Sequence, residues 1–373
     1  MHTFSPQDEQ YMRRALELAA LGRFSTSPNP RVGCVVVKDG QIVGEGFHLR
    51  AGEPHAEVHA LRQAGQWAQG AIAYVTLEPC SHYGRTPPCA ESLIHSGISR
   101  VVAAMRDPNP LVAGRGLAML QAAGITTECG LLEQQARALN RGFLSRIERG
   151  RPFVRLKTAV SLDGKTALAD GRSQWITGTA ARDDVQILRA ESCAVLTGIG
   201  TVLADNPRLN VRAFPTLRQP VRVVLDSKCR LPETSHLVQD GGTTWLFTTA
   251  NDVTRFAAYP NIRVFRLPEN ADGHLEVLEV LSVLAQEGIG EVLLEAGATL
   301  NAAFLQQNCV DEIVLYQAPK LLGETAQSAF RLPENADALS HEPEWQAIAT
   351  TLLGNNVKTV WQHRHVYRPQ QAA

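Results

Sequence analysis

An α/β protein built as two domains is what this sequence predicts, and three observations carry that reading. Aliphatic and β-branched runs alternate with helical apolar stripes in both halves of the chain, the order expected of sheets with helices on their faces. The length, 373 residues, is more than one hydrophobic core ordinarily serves. The alternation breaks at Glu148-Arg149-Gly150-Arg151-Pro152, which places a boundary between a domain over 1–150 and a second over 151–373.

The composition narrows the function classes. At 44% hydrophobic and 20% charged residues the chain reads as an ordinary globular protein rather than a disordered one. A formal net charge of −1 and a pI near 6.8 give no general attraction to nucleic acid or to a membrane surface. No apolar run is long enough to span a bilayer, and the polar start from Met1 to Glu9 lacks a secretory pattern, so a cytoplasmic location is expected. Seven cysteines, an odd number, suit a reducing compartment. Cys34, Cys129, Cys193, Cys229 and Cys309 are expected as free thiols, several of them in apolar runs.

Taken in order, residues 7–21 carry a helical stripe of Tyr11, Met12, Ala15, Leu16 and Ala19, stopped by Gly22. A Ser-, Asn- and Pro-rich loop follows to Pro30. Strands are expected over 32–38 and 41–47, joined by Asp39-Gly40, a pair suited to the positive φ angles of a tight hairpin. A helix follows His55 and ends near Gly65. The apolar run 71–77 reads as a buried strand, 90–95 as a helix beginning at Cys89, 100–105 as a strand and 117–123 as a helix, with short elements to Asn140. In the second half, strands are expected over 153–159, 194–197, 221–225, 244–248, 262–266, 291–294 and 312–316, in a mostly parallel sheet with a nucleotide-type site along its carboxyl edge.

The chemistry concentrates between residues 55 and 89. His55, Cys80 and Cys89 are one imidazole and two thiols, a set that holds three of the four tetrahedral positions of zinc and leaves one for water. Glu57, two residues after His55, stays off the metal and can carry protons between that water and a leaving amine, the working set of a zinc deaminase. Cys80 follows a strand, at the sheet edge where α/β proteins place their sites. The helix beginning at Cys89 is expected to favour the thiolate of Cys89 through its dipole. His59 is a rival ligand on the same helical face, but His-x-Glu-x-His is not the order of zinc proteases, and packing or hydrogen bonding is the plainer reading of it. In the second half, the turns at Gly198-Ile199-Gly200 and Gly297-Ala298-Thr299 follow strands and can bring backbone close to a phosphate, yet neither completes Gly-x-Gly-x-x-Gly.

Eight residues, Ser-His-Tyr-Gly-Arg-Thr-Pro-Pro, separate Cys80 from Cys89. That departs from the Cys-x-x-Cys of cytidine deaminases and resembles the pyrimidine deaminase of riboflavin biosynthesis. Pro28-Asn29-Pro30-Arg31-Val32-Gly33-Cys34 and Asp107-Pro108-Asn109-Pro110 match that family too. So do Lys157-Thr158-Ala159, Ser161-Leu162-Asp163-Gly164-Lys165, Ser173-Gln174-Trp175-Ile176-Thr177 and Thr201-Val202-Leu203-Ala204-Asp205 with Pro207. The whole chain therefore resembles the bifunctional deaminase–reductase family of that pathway.

The resemblance implies a cytidine-deaminase-like α/β/α domain followed by a dihydrofolate-reductase-like α/β domain, one zinc ion per deaminase site, and NADPH. It implies that Asn29, His48, Asp107 and Asn109 contact a phosphorylated pyrimidine, although Asn before Pro, as at Asn29, is more often a turn former. Such a substrate needs a cation near the mouth of the site, and Arg85 in the exposed inter-cysteine loop offers one; a solvated loop charge is its plainer reading. In the second half it puts Ala159, Trp175, Thr201, Asp205, Ser227 and the turn Gly297, Ala298, Thr299, Leu300, Asn301 and Ala302 on the dinucleotide side. Lys157, Ser173, Arg189, Leu209, Arg212 and Glu295 fall on the substrate side. Arg189 and Arg212 suit a phosphate clamp, since guanidinium donors match phosphate oxygens; a surface ion pair is the plainer alternative.

The implied reaction is hydrolytic removal of the 2-amino group from a diaminopyrimidinone bearing a ribosylamino 5′-phosphate, then NADPH-dependent reduction of the ribosyl unit to a ribityl chain. Two rivals stand beside it: a nucleotide deaminase with a non-catalytic second half, and an RNA-editing deaminase, which the neutral charge balance disfavours. Assembly into a homo-oligomer is left open by the sequence.

Overall fold

The computed structural model describes residues 4–83, 87–110, 112–335 and 344–364, and the chain divides into two compact units, Met1–Gly150 and Arg151–Ala373. In the first, α1 (Pro6–Leu21) starts at a capping box in which Ser5 accepts from Asp8 N–H and Asp8 accepts in return. β1 (Gly33–Lys38) and β2 (Gln41–Phe47) form the expected hairpin, with Asp39 and Gly40 at φ of 49° and 75°. α2 (Ala56–Ala64), β3 (Ile72–Val75), α3 (Cys89–His95), β4 (Arg100–Ala103), α4 (Arg115–Ala122), β5 (Thr126–Cys129), α5 (Glu133–Leu139) and α6 (Arg141–Arg149) follow.

The strands lie in the order β2-β1-β3-β4-β5, with β1 antiparallel to both neighbours and β3, β4 and β5 parallel. One face buries Cys34, Val36, Ala73 and Val101 against Ala60, Leu93 and Leu120 from α2, α3 and α4. The other buries Val35, Val37, Tyr74 and Val102 against Met12, Ala136 and Leu144 from α1, α5 and α6. This is the α/β/α sandwich.

α2 lies unusually close to the sheet. A Cβ at Gly44 would sit 2.1 Å from the Ala60 carbonyl oxygen, and one at Gly46 would sit 2.4 Å from that of Ala56. Only glycine permits that approach.

In the second unit, β6 (Phe153–Val160), β7 (Lys165–Ala167), α7 (Thr179–Glu191), β8 (Ala194–Gly198), α8 (Ile199–Asp205), β9 (Val221–Leu225), α9 (His236–Gln239), β10 (Thr244–Thr248), β11 (Ile262–Arg266), α10 (Val277–Gln286), β12 (Glu291–Leu294), α11 (Ala298–Gln306) and β13 (Glu312–Gln317) are followed by β14 (Gln327–Ser328), β15 (Trp345–Leu353) and β16 (Asn356–His363). The main sheet runs β11-β10-β9-β8-β12-β6-β13-β16-β15, parallel through β13 and antiparallel beyond it. β14 pairs with β7 in a separate ribbon. α10 and α11 cover one face through Val280, Leu281, Leu284 and Phe304; α7, α8 and α9 cover the other through Val185, Leu188, Val202 and Leu237.

All seven strands expected in the second half are present, as is the mostly parallel order. β15 and β16 have no counterpart among the expected elements. Most of β15 is exposed, so neither face imposes the alternation by which a half-buried strand is recognised. In the first unit, Asn140 is not the end of the regular structure: α6 continues to Arg149 and is stopped by Gly150 at φ 66°.

Candidate active sites

In the first unit, α2 and α3 start where β3 ends, and that brings the predicted ligands together. His55 is the N-cap of α2, Cys80 lies in the loop after β3, and Cys89 is the first residue of α3. His55 Nδ1 stands 3.3 Å from Cys89 Sγ and 3.6 Å from Cys80 Sγ, and all three ligand atoms lie within 4.8 Å of one another. Zinc–nitrogen and zinc–sulfur bonds of ~2.0 and ~2.3 Å at a tetrahedral angle separate such atoms by roughly 3.5 Å, so the donor set fits zinc in kind and in spacing. His59, one turn further along α2, is not part of the cluster.

Cys89 N–H donates to Cys80 Sγ at 3.2 Å and Ala90 N–H to the Cys80 carbonyl at 3.2 Å, which ties Cys80 to the start of α3. The hydrogen bond between the two thiols pulls Cys80 down and pushes Cys89 up.

Glu57 is 3% exposed, in the first turn of α2. Burial, then the Cys80 charge, raises its carboxyl to about 7. That value suits a group that must both accept and release a proton near neutral pH. Asn29 and His48 adjoin the cluster: Asn29 Nδ2 lies 3.0 Å from His48 Nε2, and the His48 ring meets that of His55 edge-on at 5.2 Å. Asp107 is half-buried, its carboxylate accepts Asn109 N–H at 2.8 Å, and burial raises it to about 6. Arg85 lies outside the described residues.

A residue to which the sequence assigns no role stands two positions before Cys80. The Glu78 side chain is buried and accepts four backbone N–H groups: Asp107 (3.2 Å) and Gly114 (2.9 Å) at Oε2, Gly116 (2.9 Å) and Leu117 (3.3 Å) at Oε1. Its place in Glu-Pro-Cys is the available signal, but nothing in a sequence says where a carboxylate's partners are.

In the second unit, Lys157 on β6, Arg189 on α7 and Glu295 just past β12 share the α7 face of the sheet. Arg189 grips Glu295 through Nε and Nη2 at 2.7 and 2.9 Å and donates from Nη1 to the Asn210 carbonyl at 3.1 Å. Burial lowers the Lys157 amine, an effect opposed by Glu295. Arg212 is exposed, with Arg189 and Glu295 within electrostatic reach. Leu209 is buried in the core with φ 50°. Ser173 is half-buried in the loop before α7.

On the side expected to meet the dinucleotide, Gly198 and Gly297 cap α8 and α11 after the adjacent parallel strands β8 and β12, and a Cβ at Gly297 would meet open space. Asn301 is buried and donates to the Ala296 carbonyl at 3.2 Å, while its Oδ1 and Thr197 Oγ1 have no hydrogen-bond partner among the described residues. Open backbone at a helix start with unsatisfied polar atoms beside it fits the phosphate-bearing part of NADPH. Ala298 and Thr299 open α11, with Thr299 the hydroxyl of the turn; Leu300 packs against Gly198, and Ala302 is buried. Ala159 is half-buried on β6, and Thr201 and Asp205 lie on α8. Ser227 Oγ accepts Leu275 N–H at 3.3 Å. Trp175 is exposed, with the Arg182 guanidinium 4.6 Å over its ring.

Comparison with known proteins agrees with this two-part layout. Residues 5–105 match the cytidine and deoxycytidylate deaminase zinc-binding region, and residues 152–359 match the RibD C-terminal domain. The chain is 52% identical over 352 residues to riboflavin biosynthesis protein RibD of Escherichia coli, covering 91% of this chain and 95% of that one. A RibD structure from Acinetobacter baumannii superposes with a TM-score of 0.90 at 46% identity, covering 96% and 99% of the two chains. A diaminohydroxyphosphoribosylaminopyrimidine deaminase/5-amino-6-(5-phosphoribosylamino)uracil reductase from Thermotoga maritima superposes at 0.86 with 36% identity, covering 96% and 99%. With relatives this similar along nearly the whole chain, the protein belongs to the RibD family of riboflavin biosynthesis.

Proposed function

We propose that the chain performs two consecutive steps of riboflavin biosynthesis, one in each unit. The first unit deaminates 2,5-diamino-6-(5-phosphoribosylamino)pyrimidin-4(3H)-one hydrolytically. The second reduces the resulting 5-amino-6-(5-phosphoribosylamino)uracil at its ribosyl unit, using NADPH. The observation that carries the reading is the convergence of His55, Cys80 and Cys89 beside a buried Glu57, within a chain that also matches the RibD C-terminal domain over residues 152–359.

His55, Cys80 and Cys89 would hold zinc, which when bound lowers the pKa of a coordinated water so that hydroxide forms near neutral pH. Glu57 takes a proton from the attacking water onto its carboxylate and passes it to the ring nitrogen beside the reacting carbon; it then takes the proton of the hydroxyl left on that carbon and passes it to the amino group, which departs as ammonia as the carbonyl forms. Its burial keeps bulk water from competing for that proton. Asn29, His48, Asp107 and Asn109 orient the pyrimidine, and Arg85 meets the phosphate.

In the second unit, NADPH when bound supplies the hydride for the sugar carbon attached to nitrogen. The turn Gly297, Ala298, Thr299, Leu300, Asn301 and Ala302 would receive its phosphates, with Ala159, Trp175, Thr201, Asp205 and Ser227 along the remainder of the dinucleotide. Lys157, Ser173, Leu209 and Glu295 orient the substrate. Arg189 commits three of its five guanidinium N–H groups to Glu295 and Asn210, so it offers the substrate phosphate its remaining donors together with Arg212.

A cytoplasmic homo-oligomer with no nucleic-acid partner is part of this reading. No described helix is long and apolar enough to cross a membrane. β15 carries no charged residue over its nine positions and stands at the sheet edge, which supports pairing with a second copy.

The test is one assay on the diaminopyrimidine phosphate. Ammonia should be released with or without NADPH, and NADPH should be consumed only as the deaminated product forms. NADPH consumption without ammonia release, or no NADPH consumption at all, overturns the two-step reading.

A further inference from the structure

Glu78 has more partners than a buried carboxylate at a helix start needs. Its Oε1 accepts from Gly116 and Leu117, in the first turn of α4, and negative charge is favourable there. Its Oε2 does something else: it accepts from Gly114 and from Asp107, which stands at the other end of the loop that leads into α4. The main chain ties the same region down again, since Glu78 N–H donates to the Met105 carbonyl at 3.0 Å. A Cβ at Gly116 would lie 1.9 Å from the Pro79 carbonyl oxygen, so α4 rests directly on the peptide that precedes Cys80.

One side chain therefore joins the strand end that delivers a metal ligand to the loop that presents Asp107 and Asn109. The metal cluster has its own fastenings in the bonds from Cys89 and Ala90 to Cys80. Loss of the Glu78 carboxylate should thus be felt first by the loop and not by the metal.

We propose that Glu78 is a positioning residue for the deamination, fixing the loop of Asp107 and Asn109 against the Cys80 end of β3 so that these side chains meet the pyrimidine in register with the metal. The proposal rests on the reading of Asp107 as a substrate contact. Glutamine cannot replace Glu78 despite its shape. Each carboxylate oxygen receives two N–H donors, so whichever way the amide turns, its NH₂ faces two donors.

The experiment compares Glu78→Gln, Asp107→Asn and the double variant in the full chain. It measures zinc per chain, deaminase KM and kcat, and reduction of the already deaminated substrate. Glu78→Gln should keep its zinc and its reductase activity and raise the deaminase KM by about tenfold or more, the scale on which misplaced contacts are felt. Asp107→Asn should also raise KM. The double variant should be no worse than about twofold beyond the larger single effect, because both act through one contact.

A role in stability alone would lower the active fraction and the melting temperature but leave KM where it was. An unchanged KM in Glu78→Gln, with Asp107→Asn raised, therefore overturns the proposal and leaves the substrate role of Asp107 intact. An unchanged KM in Asp107→Asn overturns that role, and the proposal with it. Should Glu78→Gln fail to fold, Glu78→Asp keeps the charge but is one methylene too short to serve both pairs of donors. Its KM should rise by a smaller factor, and an unchanged value counts against the proposal equally.

Discussion

Glu57→Gln should separate the two activities of this chain. The substitution keeps the size and shape of the side chain while removing its capacity to carry a proton. Loss of a general acid–base group ordinarily costs about 10²- to 10⁴-fold in rate, or roughly 2.7–5.5 kcal/mol of barrier. The structure argues for the upper part of that range. Glu57 is 3% exposed, so solvent water has little access to stand in for the missing carboxylate, and its carboxyl at about 7 is matched to both halves of the proton transfer. A fall of roughly 10³-fold or more in ammonia release is expected, with zinc content unchanged. Reduction of ribosylaminouracil phosphate by the same variant should run at the wild-type rate, because Glu57 belongs to the first unit and the reductase residues to the second. Two assays on one purified variant, ammonia release and NADPH consumption, read both. If the variant is folded and holds zinc yet no longer reduces the deaminated substrate, the two-site model fails. If deamination falls by less than about tenfold, the role given to Glu57 fails.

Other outcomes follow from the same geometry. Cys80→Ser should lose metal and deamination together, whereas His59→Ala should retain one zinc per chain by metal analysis; stoichiometric zinc in the serine variant would refute the ligand set. Glu295→Gln leaves the Arg189 guanidinium buried without its anion. It should destabilise the second unit by about 3–5 kcal/mol, read by thermal unfolding, and depress reduction while deamination persists. Asp8 gives a pH dependence. Burial raises its carboxyl, but hydrogen bonds from Arg100, Tyr74 and Ser5 outweigh that, and the net shift is downward. Stability from a depressed carboxyl is fully present above its unfolded pKa of about 3.9 and is lost as pH falls through the folded value. The gap in unfolding free energy between wild type and Asp8→Asn, about 1.5–3 kcal/mol, should be flat above roughly pH 5 and shrink below roughly pH 4. A gap that widens with acid would refute the assignment.

Much of this architecture is legible in the sequence because the strongest signals are local. Asp39-Gly40 can hardly be anything but a tight turn, and the run before Cys80 is too apolar to lie at the surface. The metal triad is legible through ligand chemistry, since two thiols and an imidazole restrict what they can hold together. The parts that escape lack such local marks. β15 has neither alternation nor a buried face. Arg189 is expected from the sequence to bind phosphate, and nothing there reveals that Glu295, more than a hundred positions away, holds two of its nitrogens. Glu78 is legible only through its place before Pro79-Cys80, and its role is not, because its four partners are backbone groups contributed by a loop and a helix roughly thirty to forty positions downstream.

The close seat of α2 on the sheet has a consequence for engineering. Replacing glycine by alanine is an established way to stiffen an unfolded chain and gain stability. On β2 the exchange works against itself. A methyl group at Gly46 would press on the amino-terminal turn of α2 at Ala56, between the imidazole of His55 and the carboxylate of Glu57. The height of those two groups above the sheet is thus set by hydrogen atoms on a strand that supplies none of the three metal-binding side chains. Screens for thermostable variants should discard Gly46, and screens for altered deaminases should start there.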